Sequence, residues 1–357
     1  MMYDLPDEQR PQPSARMLDQ WVRDAEDITK GANKRIGWML ASTVVIVSLQ
    51  RAIAPDRHPL FLLKGGLYLE LQLGLKARTT KDVDTLFRGT VEEFERAVDE
   101  VLAEPWGPFV FERTTLERVT KAARLIKPYR FEVKLIVRGK TWRRIKPGST
   151  DCCRRERHQM GAMTRWVMRW RAGRPLSVDR LVSGPRWGRV AGMNRWIRAK
   201  VEVSFPEGQV ASRLTPVPTP AVGFFGVDSP DEIVGIAMDY QIAQKTHAAT
   251  DPDIPPDIIN DRVRDLVDLI LIKENLYSEN PTPATLKLAC VDVFNARAEE
   301  AQAIGAVPRY WPPTIVANTI WKKTYPNLAA SVGITYSLEE AIMVVQDWIE
   351  EIDHSGM

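Results

Sequence analysis

Apolar positions recur along this chain in two rhythms, and the change from one to the other organises it. "SARMLDQWVRDAEDITKG" (14–31) spaces its apolar residues as a helix does behind a capping Ser14, and "ANKRIGWMLASTVVIVSLQRAI" (32–53) predicts a second, more buried helix. "HPLFLLKGG" reads as a short strand ending in two glycines, followed by "LYLELQLGL", whose leucines at four-residue steps suit a short helix on a sheet. "TTKDVDTLF" (79–87) then predicts a strand, and "TVEEFERAVDEVLAE" (90–104) an amphipathic helix with Thr90 and Glu93 in capping-box positions. Further strands are expected over 130–142 ("RFEVKLIVRGKTW") and 199–205 ("AKVEVSF"), whose alternation would let them meet as a hairpin if the segment between were excised. Residues 206–232 are Pro-rich and read as a crossing loop, and from 231 onward five helical patterns follow: 231–250, 257–277, 282–304, "PTIVANTIWKKTYPNL" and 337–352. The expected divisions are N-terminal helices over 1–54, an α/β domain over 55–230 with an insert near 145–196, and a helical C-terminal domain over 231–357.

Charge changes this picture at one place. Residues 143–198 hold fourteen Arg and one Lys against Asp151, Glu156 and Asp179, a net +12 that leaves −9 for the rest of a chain whose total is +3. The same segment carries Trp166, Trp170, Trp187 and Trp196 with little aliphatic periodicity, so it reads either as an unstructured insert or as an arm for RNA, with Arg for phosphates and Trp for base stacking. The longest apolar run, "GWMLASTVVIVSL", is shorter than the roughly 20 residues a membrane span needs, and the acidic start lacks the basic and apolar regions of a signal peptide. A cytoplasmic protein is expected. Three cysteines, two of them adjacent (Cys152, Cys153), give neither a disulfide framework nor a zinc spacing.

Candidate chemistry centres on "RTTKDVD" (78–84). Side chains two apart on a strand share a face, so Asp82 and Asp84 project together, and like charges this close are costly unless something answers them. A pair of Mg²⁺ ions, with Mn²⁺ as the alternative, takes such oxygen ligands together with substrate phosphates. The Gly65–Gly66 turn before a helix supplies backbone N–H groups able to cradle phosphate. Each piece alone is weak. Their order, glycine pair, short helix, then Asp-x-Asp, is what the DNA polymerase beta type of nucleotidyltransferase fold requires, with a third carboxylate from a neighbouring strand. Glu202 in "KVEVSF" is the candidate for that carboxylate and Glu132 in "RFEVKL" its rival.

"FLLKGGLYLELQLGLKARTTKDVDTLF" resembles the first motif of the AbiEii/AbiGii-type nucleotidyltransferase toxins: Gly-Gly, a short helix, then Arg-x-Ser/Thr-x-Asp-hydrophobic-Asp. "KVEVSF", "MDYQIAQKTHAAT" and "NDRVRDLVDLILI" resemble that family's carboxylate strand, its lysine helix and its Arg-Asp-x-x-Asp-Leu helix, and the likeness extends over about 60–352. The resemblance implies a polymerase-beta-like α/β (α+β) domain with a mixed sheet, then a helical bundle-like C-terminal domain. It implies metal binding by Asp82, Asp84 and Glu202, and substrate binding by Lys64, Gly65, Gly66 and Arg78. Lys245 would neutralise the triphosphate as pyrophosphate leaves, and Asp265, ranked narrowly above Asp268, would orient Lys245 or accept a proton. The implied reaction transfers a nucleoside monophosphate from an NTP to an acceptor hydroxyl, such as the 3′ end of tRNA. Growth arrest or abortive phage infection would follow, restrained by a cognate antitoxin for which a winged-helix protein is a candidate. Glu202 stands where such proteins more often have Asp. Two alternatives stay open: a transferase acting on a protein or small molecule, for which a strongly basic RNA surface would be unnecessary, and, given Glu202, a nucleotide- or RNA-binding relative with a weakened site.

Overall fold

The alternation in "DVDTLF" sets the two faces of the sheet. In the strand Asp82–Phe87 (β2), Val83 and Phe87 are fully buried on one face, while Asp82 and Asp84 on the other keep partial exposure. This computed structural model describes residues 5–6, 8–29, 35–120, 124–137, 194–253, 259–278 and 280–355. The other strands are β1 (Phe61–Leu63), β3 (Phe109–Arg113), β4 (Glu117–Arg118), β5 (Tyr129–Val137), β6 (Asn194–Ser204), β7 (Leu214–Pro218) and β8 (Glu232–Ile236). They form one sheet in the order β3-β5-β6-β2-β1-β8-β7, with β4 pairing β5. The sheet is mixed: β2 runs parallel to β6 and antiparallel to β1, and β1 runs parallel to β8. β5 and β6 are neighbours, so the strands flanking the basic segment do meet. Residues 138–193 of that segment lie outside the described residues.

Helices α1 (Ala15–Ile28), α2 (Arg35–Leu49) and α4 (Val91–Ala103) share a core with the Val83–Phe87 face, and the sequence anticipates each of them. Phe94 of α4 places its ring 5.4 Å from Phe87 and 5.9 Å from Phe205, and the predicted Thr90–Glu93 capping box is formed. On the opposite face, Leu62, Leu86 and Ile236 meet Tyr240 and Ala243 of α5 (Met238–Ala249) and Ala289, Cys290 and Val293 of α7 (Pro283–Ala303). Helices α6 (Val263–Asn275), α8 (Thr319–Ser331) and α9 (Leu338–His354) complete the C-terminal half. No helix among the described residues is long and apolar enough to cross a membrane.

Several elements differ from the expectation. The helix expected over 231–250 is instead strand β8 followed by α5, because the β-branched Ile233, Val234 and Ile236 pair between β1 and β7. The expected crossing loop contains β7, an edge strand, where the missing N–H groups of Pro216 and Pro218 are tolerated. β3, "FVFER", was not anticipated; it pairs antiparallel with β5 at the other edge of the ordered path.

Candidate active site

The turn from β1 into α3 (Gly65–Leu73) is shaped by what lies beside it. Gly65 has φ +70°, and a Cβ there would sit 2.5 Å from Asp84 Oδ2; at Gly66 a Cβ would meet Thr80 Oγ1 at 3.0 Å and Arg78 Nη2 at 3.2 Å. The double glycine therefore lets the turn lie directly against the Asp-x-Asp strand and the loop before it. Lys64 donates its backbone N–H to the Asp84 carbonyl at 3.0 Å, and Gly65 donates its own to Gln241 Oε1 of α5 at 3.1 Å. Gly65→Ala is expected to cost about 1–2 kcal/mol for the left-handed backbone alone, and to push Asp84 aside. Urea unfolding and nucleotide incorporation measured on the same preparation would show both losses.

Asp84 of β2 stands in parallel register with Glu202 of β6, and Asp82 with Lys200, so all four project from one face. Burial raises the Asp84 pKa; the nearby Lys64 ammonium opposes this, and the charges of Glu202 and Asp82 add to it. The flanking carboxylates are paired to cations: Lys200 Nζ is 3.0 Å from Asp82 Oδ1, and Arg130 Nη2 is 2.7 Å from Glu202 Oε2. Glu132, on the next strand out, pairs with Arg198 at 3.0 Å. Of the two rivals, Glu202 is the one set opposite Asp84.

Helices α5 and α6 bring a buried chain of alternating charges to the same region. Lys245 Nζ donates to Asp268 Oδ2 at 2.6 Å and to Asp265 Oδ1 at 3.3 Å. Arg78 donates from Nε and Nη2 to both oxygens of Asp268, each at 2.8 Å, and Arg262 Nε lies 2.7 Å from Asp265 Oδ2. Burial alone would raise the Asp265 pKa, but Arg262, Lys245 and Arg78 outweigh it and hold the carboxyl at about 2. Arg78 thus joins the "RTTKDVD" motif to α6 through Asp268, and the two aspartates share Lys245.

Residues 48–141 match the family model described as "Nucleotidyl transferase AbiEii toxin, Type IV TA system". Over these residues the chain is similar to the AbiEii nucleotidyltransferase toxins. The match takes in Lys64, Gly65, Gly66, Arg78, Asp82 and Asp84 and ends before Glu202, Lys245, Asp265 and Asp268. Among solved structures, a similar chain is MenT4, a nucleotidyltransferase toxin from Mycobacterium tuberculosis H37Rv, at 14% identity and a TM-score of 0.40, covering 95% of this chain and 99% of that one. Comparison with curated proteins gives no match.

Among the described residues no group of three or more His, Cys, Asp and Glu side chains is gathered into a ready-made metal cage at this site. The site offers instead two carboxylates on one strand face, a third in register beside them, and an Asp84 whose ionisation the surroundings resist. That all-oxygen set fits a hard cation whose remaining ligands come from substrate phosphates and water.

Two residues near the glycine turn and the Asp-x-Asp strand were missed in the sequence. Glu207, just after β6, is buried and accepts from Gln244 at 2.8 Å and from Arg297 at 2.8 and 2.9 Å, with Arg124 Nη1 2.8 Å away. Burial would raise its pKa, but Arg297 and Arg124 bring it down to about 2. No local signal marks it, since its partners lie far away in the chain. Gln241, the acceptor for Gly65, could have been found: it precedes Lys245 by one helical turn on α5.

Proposed function

We propose that this protein is a metal-dependent nucleotidyltransferase toxin that moves a nucleoside monophosphate from an NTP to an acceptor hydroxyl, an RNA end such as the tRNA 3′ terminus. The observation that carries this reading is Asp84 lying against the Gly65 turn, 2.5 Å from where a Cβ would be, with Asp82 beside it on the same face. In the reaction the acceptor hydroxyl oxygen bonds to the α-phosphorus, the bond to the β-phosphate breaks, and pyrophosphate leaves while the hydroxyl gives up its proton. Asp82, Asp84 and Glu202 would hold Mg²⁺ or Mn²⁺, which when bound would supply charge neutralisation and a lowered pKa for the attacking hydroxyl.

The chain's own residues bind and orient. The N-terminus of α3 and the Lys64 ammonium receive the negative phosphates, with the Gly65–Gly66 turn holding the backbone close to Asp84. Lys245, steadied between Asp265 and Asp268, supplies positive charge toward the departing pyrophosphate. Asp265, held at about 2, is a poor proton acceptor at neutral pH, which favours its orienting role. Arg78 braces Asp268 and through it Lys245. The RNA acceptor draws support from the +12 charge of residues 143–198, and the toxin role, with a cognate antitoxin, from the AbiEii match.

Each radiolabelled NTP, incubated with the protein, Mg²⁺ and total RNA, tests the proposal. Label in tRNA supports it in full. Label in the protein fraction replaces the RNA acceptor with a protein, and no label with any NTP overturns the enzyme reading.

A further inference from the structure

Helix α5 touches the phosphate turn through one side chain whose hydrogen bonding is only half complete. Gln241 is 2% exposed, and its Oε1 accepts the Gly65 N–H at 3.1 Å. That bond fixes the orientation of the amide, because a donor at Gly65 must meet the oxygen. The other end, Nε2, is buried and has no hydrogen-bond partner among the described residues. A buried amide donor left unmade is costly, on the scale of about 1–3 kcal/mol, and a flipped amide would only set two donors against each other.

The surroundings show what kind of partner is missing. Gly65 opens α3, whose N-cap, Lys64, makes no side-chain capping bond to the helix. The first N–H groups of a helix lack intrahelical acceptors and attract anions. Burial lowers the pKa of the Lys64 ammonium, while the charges of Glu207 and Asp84 oppose this. One buried amide donor without an acceptor therefore stands at the N-terminus of α3, together with the Lys64 cation and next to the carboxylate face.

On the nucleotidyl-transfer reading of this site, we infer that Gln241 is a substrate-binding residue: its Nε2 donates to a phosphate oxygen of the NTP seated on the N-terminus of α3. Its Oε1 keeps the turn and α5 together while the phosphate is held. Because Gln241 and Lys245 lie four residues apart on α5, the same helix face presents one residue to the bound phosphate and the other to Asp265 and Asp268. Triphosphate binding and the placement of Lys245 are thereby coupled through one rigid element.

The test is calorimetric binding of an α,β-methylene NTP analogue, with Mg²⁺, to the full-length wild type and to Gln241→Glu. The variant keeps an acceptor for Gly65 and replaces the donor with a carboxylate that repels phosphate. Binding about tenfold weaker or more is expected, with the thermal midpoint of the nucleotide-free protein held within a few degrees. Gln241→Met, which removes the donor together with the acceptor for Gly65 and adds no charge, serves if the first variant folds poorly, and weakened binding with an unchanged thermal midpoint is again expected. Affinity unchanged in a folded variant overturns the inference alone. Absence of binding by the wild type to the α,β-methylene analogues of ATP, GTP, CTP and UTP alike overturns the nucleotidyl-transfer reading and this inference with it.

Discussion

Asp84→Asn is expected to abolish nucleotide incorporation while making the metal-free fold more stable. The change keeps the side chain's shape beside Gly65 and removes a charge that, on the proposed reading, would help hold a metal. A loss on the order of a thousandfold corresponds to several kcal/mol of lost transition-state stabilisation. The stability gain follows from the direction of the Asp84 shift. Burial, reinforced by Glu202 and Asp82 against Lys64, raises its pKa in the folded state. For an acid shifted this way, the favourable contribution is complete below the unfolded value of about 3.9 and is lost as pH rises through the folded value. At neutral pH the wild type therefore bears a cost that asparagine avoids. Urea midpoints of the two proteins should be close near pH 4 and diverge in favour of Asp84→Asn toward pH 8. Retained incorporation would remove Asp84 from the site, and a destabilised variant at pH 8 would contradict the electrostatic account.

Lys245→Met is expected to be the most destabilising of these single substitutions. The lysine is buried between Asp265 and Asp268, themselves 3% and 0% exposed, and methionine would fill the space without its charge. Breaking a buried ion pair from one side commonly costs about 3–5 kcal/mol, because the remaining charge loses both water and partner. Here each aspartate keeps a second cation, Arg78 for Asp268 and Arg262 for Asp265, which places the expected cost near the low end, roughly 3 kcal/mol. Pairing the change with Asp268→Asn should cost less than the sum of the two alone, since they share one contact. A loss below about 1 kcal/mol, or strict additivity, would mean that the three groups do not act as a unit. Incorporation should fall with Lys245→Met even at temperatures where the variant stays folded.

The difference between these two residues also shows where sequence reading reaches. The Asp82–Asp84 pair, the double glycine and the intervening helix were legible because each rests on a local rule. Strand side chains alternate, a left-handed turn takes glycine, and "LYLELQLGL" has a helical period. The helices expected over 282–304 and 337–352 were legible for the same reason, with Thr282 and Ser337 capping backbone N–H groups at their starts, whereas the helix expected from Pro313 begins only at Thr319, behind Asn318. β8 was misread because "EIVGI" is too short to show its period and runs straight into the apolar start of α5. Its strand character comes from β1 and β7 on either side.

The amino-acid sequence by itself determined the carboxylate pair on one strand face, the glycine turn before it and the helices that follow, since each needs only neighbours within a few residues. The tertiary structure alone decided the partners. It placed Glu202 opposite Asp84, set Lys245 closer to Asp268 than to Asp265, buried Glu207 among arginines and carried Gln241 onto Gly65. Those contacts join segments far apart in the chain. They form because Leu62, Leu86 and Ile236 must be covered by α5 and α7, and burying that apolar face brings the polar residues of the helices to the edge where the aspartates stand.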